Sequence, residues 1–222
     1  MSAPARDDLL TGIHKALRLG LLRVTVQLGA ADWADPGDRE AAGAEWQRLS
    51  GLLRSHAGHE DRHIFALLEA KRPGSLAALH ADHEELDVLQ ELLDGAVQEA
   101  ARGTAAGAGP RAYVQAAAFT GRYLAHLDAE DRTVMPGIWE ACSDEEIAAC
   151  RAAFMAEIGP DEAAYTQGLA LPALSTPERV AMLVSARRHL PPQAYTRLLA
   201  LAEEVLAPEP WRRTAAGLEA AA

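Results

Sequence analysis

Two segments of the 222-residue chain carry an imidazole and a carboxylate four positions apart: His56-Ala-Gly-His-Glu60-Asp61-Arg62 and His126-Leu-Asp-Ala-Glu130-Asp131-Arg132. On a helix, residues four apart lie one above the other on the same face, so each segment offers a nitrogen and an oxygen donor side by side. Two such helices facing each other, with histidines from two further helices, would cage a pair of metal ions. The chain must then supply four helices whose buried faces converge on these donors.

Hydrophobic periodicity predicts those helices. Between about residues 6 and 28, Leu10, His14, Leu17, Leu21, Val24 and Leu28 recur at steps of three and four, one buried stripe with His14 at its middle. A loop rich in Asp, Pro and Gly follows. From about 39 to 71 the stripe runs Ala42, Trp46, Leu49, Leu53, His56, Glu60, His63 and Leu67, and Arg72-Pro73-Gly74 ends it. Ser75 is placed to cap a third helix reaching to about 101, with Leu76, Leu79, His83, Leu86, Leu93 and Val97 inward and His80 at the margin. A small-residue connector, expected to be flexible, leads to a fourth helix with Ala116, Phe119, Tyr123, His126, Glu130 and Val134 inward, which Pro136 is expected to kink or end. The expectation is an all-α protein, with an antiparallel up-down four-helix bundle over residues 1–142. His56 and Glu60 map onto His126 and Glu130, and His14 onto His83, at nearly equal offsets, so the bundle reads as two similar helical hairpins.

Residues 143–222 change character and read as an appended C-terminal helical extension. Ser143-Asp-Glu-Glu146 is a capping box that opens one helix, ending near Gly159-Pro160. Thr176-Pro177-Glu178 and Pro191-Pro192 open two more, and Pro208-Glu-Pro-Trp211 leads to a short last helix.

Each helix of the first region interrupts its apolar stripe with polar groups near mid-length. Burying such groups without partners costs about 1–3 kcal/mol each, more for charged carboxylates. Coordination of metal by His14, His56, Glu60, His80, His83, His126 and Glu130 would satisfy all of them together. Imidazole suits zinc, iron, copper and nickel, and carboxylates shared between helices suit a dinuclear site. A single zinc needs about four ligands and leaves several groups unexplained. Two six-coordinate ions offer about twelve positions. Five imidazoles, two bridging carboxylates and a bridging oxygen leave one open for a small ligand. No catalytic residue is assigned. Tyr123 and His63 are candidates for a supporting role around the metal, with core packing the alternative for Tyr123 and an extra ligand or rim group the alternatives for His63. His59 points off the stripe and reads as surface. Asp61 and Asp131 read as solvated helix flanks, with bracing of imidazole N–H groups as the alternative. His59-Glu60-Asp-Arg-His63 matches the zinc-protease pattern His-Glu-x-x-His, but that reading needs His59 inward and leaves the other helices unexplained.

One His on the first helix, His-x-x-x-Glu on the second, a His pair on the third and His-x-x-x-Glu on the fourth resemble the hemerythrin-like (HHE cation-binding) family over about residues 8 to 140. The resemblance implies a non-haem centre of two iron ions joined by an oxo or hydroxo group, with Glu60 and Glu130 bridging; manganese or a mixed iron–manganese pair is the alternative loading. It implies a role in binding oxygen, nitric oxide or peroxide, or in sensing iron and redox state. The ligand spacing, Tyr123 and the helices after residue 142 support the alternative of an oxidase, oxygenase or peroxide-decomposing enzyme acting on a small substrate under those helices. Oxygen-carrying members space the third-helix His pair by four, where His80 and His83 are spaced by three, and carry His-x-x-x-x-Asp on the fourth helix. Loss of one of the pair opens a second position and favours reaction over reversible binding.

Composition narrows the remaining classes. A formal net charge of −11 with dispersed basic residues argues against nucleic acid or an anionic membrane as partner. The polar first residues do not resemble a signal peptide, and no segment is apolar enough to span a bilayer, so a cytoplasmic monomer or homodimer is expected. Cys142 and Cys150 would lie about 12 Å apart on one continuous helix and are read as reduced thiols. No phosphate-binding glycine loop and no Gly-x-Ser-x-Gly nucleophile motif is present.

Overall fold

Steps of three and four between apolar residues fold the chain into helices throughout. The computed structural model describes residues 6–221, and no strand occurs among them. The first five residues, on which the expectation of no leader partly rests, lie outside the described residues.

Helix α1 spans Thr11–Ala30, its start fixed by the Asp8 carboxylate, which accepts from the backbone N–H groups of Leu10 and Thr11. Helix α2, Pro36–His59, begins with Asp35 as its cap and Pro36 in its first turn. It runs directly into a π-helical turn, Glu60–Phe65, and then into α3, Ala66–Lys71. A π turn holds more residues than an α turn, so the buried stripe slips in register there. Beyond Glu60 the buried side chains are Ile64, Phe65 and Leu68, and not the expected His63 and Leu67.

Helix α4, Ala77–Arg102, starts without help from Ser75. The Glu69 carboxylate takes that part, accepting from the N–H groups of Gly74 at 2.6 Å and Leu76 at 2.8 Å. Gly103, at φ +68°, ends α4 in the left-handed region. Helix α5, Ala108–Ala141, continues through Pro136 instead of ending there. The proline removes one N–H donor, but Val134, Met135, Gly137 and Ile138 around it are buried, and their packing holds the helix. Near the start of α5, a Cβ at Gly109 would stand 2.2 Å from the Trp33 ring, so only glycine admits this indole.

Two compact units divide the chain. The first comprises the described residues up to Thr11 and Gly20–Ile158, so the division falls sixteen residues beyond the expected boundary at 142. Helix α6, Asp144–Met155, opens with the expected capping box of Ser143 and Glu146 and belongs to this unit. Its Ile147, Cys150 and Phe154 join a core with Leu10, Ile64, Phe65, Leu68, Leu79, Val134 and Ile138. Cys142 and Cys150 are buried free thiols.

The second unit comprises Gly12–Leu19 of α1 and the chain from Gly159, with helices α7 Pro160–Ala173, α8 Thr176–His189, α9 Pro192–Val205 and α10 Pro208–Ala220. Sequence periodicity did not reveal α7, because its apolar residues do not gather on one stripe and Gly168 and Pro172 interrupt it. Leu171, Leu183, Leu198, Ala202 and Leu206 form the core. The buried Arg179 donates to the carbonyls of Leu171 and Leu174 at the end of α7 and to the hydroxyls of Thr176 and Thr214. A helix end leaves carbonyls without partners, and the guanidinium satisfies two of them.

In the first unit α4 packs most extensively on α5 and then on α2. A polar network locks α2 to α4: Asp94 accepts from Trp46 Nε1 at 2.8 Å, Ser50 Oγ at 2.9 Å and Arg54 Nη2 at 2.6 Å, while Gln90 donates to the Ser50 carbonyl. Asp94→Ala leaves the buried Trp46 N–H and Ser50 hydroxyl without their acceptor and is expected to lower stability by about 1–3 kcal/mol in chemical denaturation. An unchanged denaturation midpoint would show the network to be dispensable.

Candidate metal centre

The inward stripes of α1, α2, α4 and α5 all reach their polar interruptions at one level, and six of the seven expected ligands meet there. His14, His56, Glu60 and Glu130 form one group, and Glu60, His83, His126 and Glu130 a second. Within each group the ligand atoms lie within 4.8 Å of one another, and every member is buried. Glu60 and Glu130 belong to both groups, with two imidazoles at each side.

Helical spacing produces the closest pairs. His56 Nε2 is 3.1 Å from Glu60 Oε1, and His126 Nε2 is 3.0 Å from Glu130 Oε1, each pair four residues apart. His83, from α4, reaches across with Nε2 at 3.6 Å from Glu60 and 3.5 Å from Glu130. That nitrogen is buried with no hydrogen-bond partner and points between the two carboxylates. Glu60 and Glu130 are 1% and 0% exposed. Two carboxylates at that depth need compensating positive charge, because removing each ion from water costs several kcal/mol. A donor set of four imidazoles and two carboxylates, with one imidazole nitrogen aimed between both carboxylates, fits metal cations.

Further carboxylates hold the imidazoles from behind. Asp61 Oδ1 lies 3.1 Å from His83 Nδ1, so Asp61 braces an imidazole, the less favoured of its two expected roles. Its neighbour Phe65 stacks on the same ring at 5.2 Å. Asp82 Oδ2 stands 3.5 Å from His126 Nδ1, an ion-pair distance longer than a hydrogen bond, and Arg122 fixes Asp82 from its other oxygen. Sequence reading missed Asp82 and Arg122. The available signal was that Asp82 adjoins His83 on α4 and Arg122 stands one turn before His126 on α5. Carboxylates behind metal-binding imidazoles set the tautomer and turn the other nitrogen to the metal. Burial alone would push the His83 imidazole down, but Asp61, Glu130 and Glu60 outweigh it and hold the group at about 10. A cation taking Nε2 must therefore displace a proton.

The remaining candidates lie elsewhere. His80 is 45% exposed, with Nδ1 3.3 Å from Asp61 and its ring edge-on to Phe65. A spacing of three turns it away from the line on which His83 sits, and it joins neither group. His63 is drawn off the stripe by the π turn and meets Glu157. His59, expected at the surface, is off the main stripe but buried, because Phe154 of α6 packs over it. The zinc-protease arrangement is thereby absent, since His59 and His63 do not join Glu60 in either group. Tyr123 packs between Phe119 and His126, and burial followed by the charges of Glu60 and Glu130 pushes its phenol well above the usual range, so it keeps its proton.

His83→Ala is expected to abolish metal retention at the second group, whereas His80→Ala retains the wild-type metal content. Asp61→Asn is expected to weaken metal affinity by about 10–100-fold through the His83 ring. Metal analysis after dialysis against a chelator checks all three, and loss of metal in His80→Ala would overturn the assignment. No curated protein and no solved structure gives a significant match to the chain. The family model for the Hemerythrin HHE cation binding domain matches residues 6–138, a stretch that contains all six gathered residues, and the chain belongs to that family.

Proposed function

We propose that the six residues hold two iron ions in an antiparallel up-down four-helix bundle of α1, α2 with α3, α4 and α5, and that the pair reacts with dioxygen, peroxide or nitric oxide. The observation that carries this reading is the sharing of Glu60 and Glu130 by both buried groups. Two carboxylates common to two pairs of imidazoles are the donor pattern of bridged dinuclear sites. Iron is the metal the family resemblance implies, with manganese or a mixed pair as the alternative loading.

When bound, an iron pair supplies redox-active positions at which a diatomic or peroxide ligand can coordinate. The chain's own residues set the conditions around it. Glu60 and Glu130 offset the cationic charge, Asp61 and Asp82 orient His83 and His126, and the Phe65 and Tyr123 rings cover the imidazoles of His83 and His126. Tyr123, protonated and one turn before His126, is the nearest phenolic donor on α5.

His80 favours reaction over reversible carriage. With that imidazole outside the cluster, four imidazoles and two bridging carboxylates fill about eight of about twelve octahedral positions. Even with a bridging oxygen, more than one position remains for ligands. Peroxide breakdown or small-substrate oxidation is the second reading, and it rests on this extra opening. A cytoplasmic setting is part of the proposal; no described helix is long and apolar enough to cross a membrane.

Purified protein loaded anaerobically with ferrous iron is expected to bind two ions per chain. Air or peroxide should then develop ultraviolet and visible absorption, which His126→Ala should lose. Binding of a single ion, or an iron-loaded protein whose spectrum ignores dioxygen, peroxide and nitric oxide alike, would contradict the proposal. Sustained peroxide loss by the loaded wild type, absent from His126→Ala, would select the enzymatic reading.

A further inference from the structure

His59 and His63 both turn toward one carboxylate outside the buried groups. Glu157, two residues beyond the end of α6, places Oε1 2.7 Å from His63 Nε2 and Oε2 3.6 Å from His59 Nε2. The two rings stand 6.5 Å apart between centroids. Their four-residue spacing puts both imidazoles on one side of the helix, and the π turn that begins at Glu60 rotates His63 off the core stripe, so the pair meets Phe154 and Glu157 at the end of α6. Phe154, one turn before Glu157, packs 6.2 Å from His59 and holds that ring in place.

We propose that His59, His63 and Glu157 form a second, mononuclear site for a divalent transition cation, separate from the six-residue cluster. Two imidazoles and one carboxylate, with open positions for water, are the donor set of three-ligand zinc and ferrous sites. Metal–ligand bonds of about 2.1 Å in a tetrahedral site place donor atoms about 3.4 Å apart. His63 Nε2 lies 2.7 Å from Oε1 and His59 Nε2 3.6 Å from Oε2, so both imidazoles already meet the one carboxylate. The three donor atoms do not all lie within 4.8 Å of one another, so closing on a cation requires side-chain rotation, chiefly of the half-exposed Glu157. Glu157 is 40% exposed, so the site opens to solvent and needs no unfolding to fill.

Arg62 now occupies the place of the cation's charge. Its Nη2 lies 2.7 Å from Glu157 Oε2, and its side chain is 55% exposed, so it can swing into water at little cost. Guanidinium and metal therefore compete for one carboxylate oxygen. That competition separates a metal site from a simple ion-pair tether between α6 and the π turn.

The test counts zinc ions bound per full-length chain by equilibrium dialysis, with helix content and melting temperature checked for each variant. Wild type is expected to bind one more ion than Glu157→Gln and one more than His63→Ala, while both variants keep the ions of the buried groups. Arg62→Ala is expected to keep the extra ion and bind it several-fold more tightly. In His126→Ala, which damages the buried centre, the Glu157-dependent ion should persist, so failure of one site is distinguishable from failure of the other. Equal stoichiometry in wild type and Glu157→Gln, or loss of the extra ion in Arg62→Ala, would overturn the proposal.

Discussion

Two carboxylates with almost no access to water, Glu60 and Glu130, are the constraint on which this molecule depends. Helices bury stripes because apolar area leaves water, and an ionised group in such a stripe opposes that gain. The surrounding imidazoles relieve the conflict in part, since His83 is held in its charged form by the acids around it. Cations satisfy it more fully, because they engage the carboxylates and the inward ring nitrogens together. The helices can thus be seen as scaffolding whose lengths and faces deliver six donors to one level.

Fixing those donors takes a second layer of contacts. Asp61 and Asp82 sit behind the rings of His83 and His126, Arg122 fixes Asp82, and Phe65 stacks on His83. Asp94 serves α2 and α4 similarly, some turns away, by joining Trp46, Ser50 and Arg54. In both places a partly exposed acid holds buried groups of two helices in fixed register. The π turn completes the arrangement: the α-helical step from His56 presents Glu60 inward, and the turn that begins there lets Ile64, Phe65 and Leu68 resume the core.

Much of this was legible before any coordinates. The stripes of α1, α4 and α5 are buried as their spacing predicts, and the four-residue step joins His56 to Glu60 and His126 to Glu130. Pattern reading erred where it assumed a uniform helix. One π turn displaced His63 and the packing of α6 buried His59, and α-helical periodicity carries no mark of either. Pro136 and Ser75 misled for another reason: local propensities for breaking and capping gave way to burial around Pro136 and to the Glu69 side chain. The placement of α6 and the existence of α7 depend on tertiary packing, which short amphipathic patterns do not encode. The exposed place of His80 follows from its spacing of three.

On the proposed function, Glu60 and Glu130 lie between two cations. Anomalous diffraction at the iron edge from crystals of the loaded protein tests it most directly. Two peaks about 3.5–4 Å apart, flanked by His14 and His56 on one side and by His83 and His126 on the other, are the predicted result. A single peak in this cluster, or none, would contradict it.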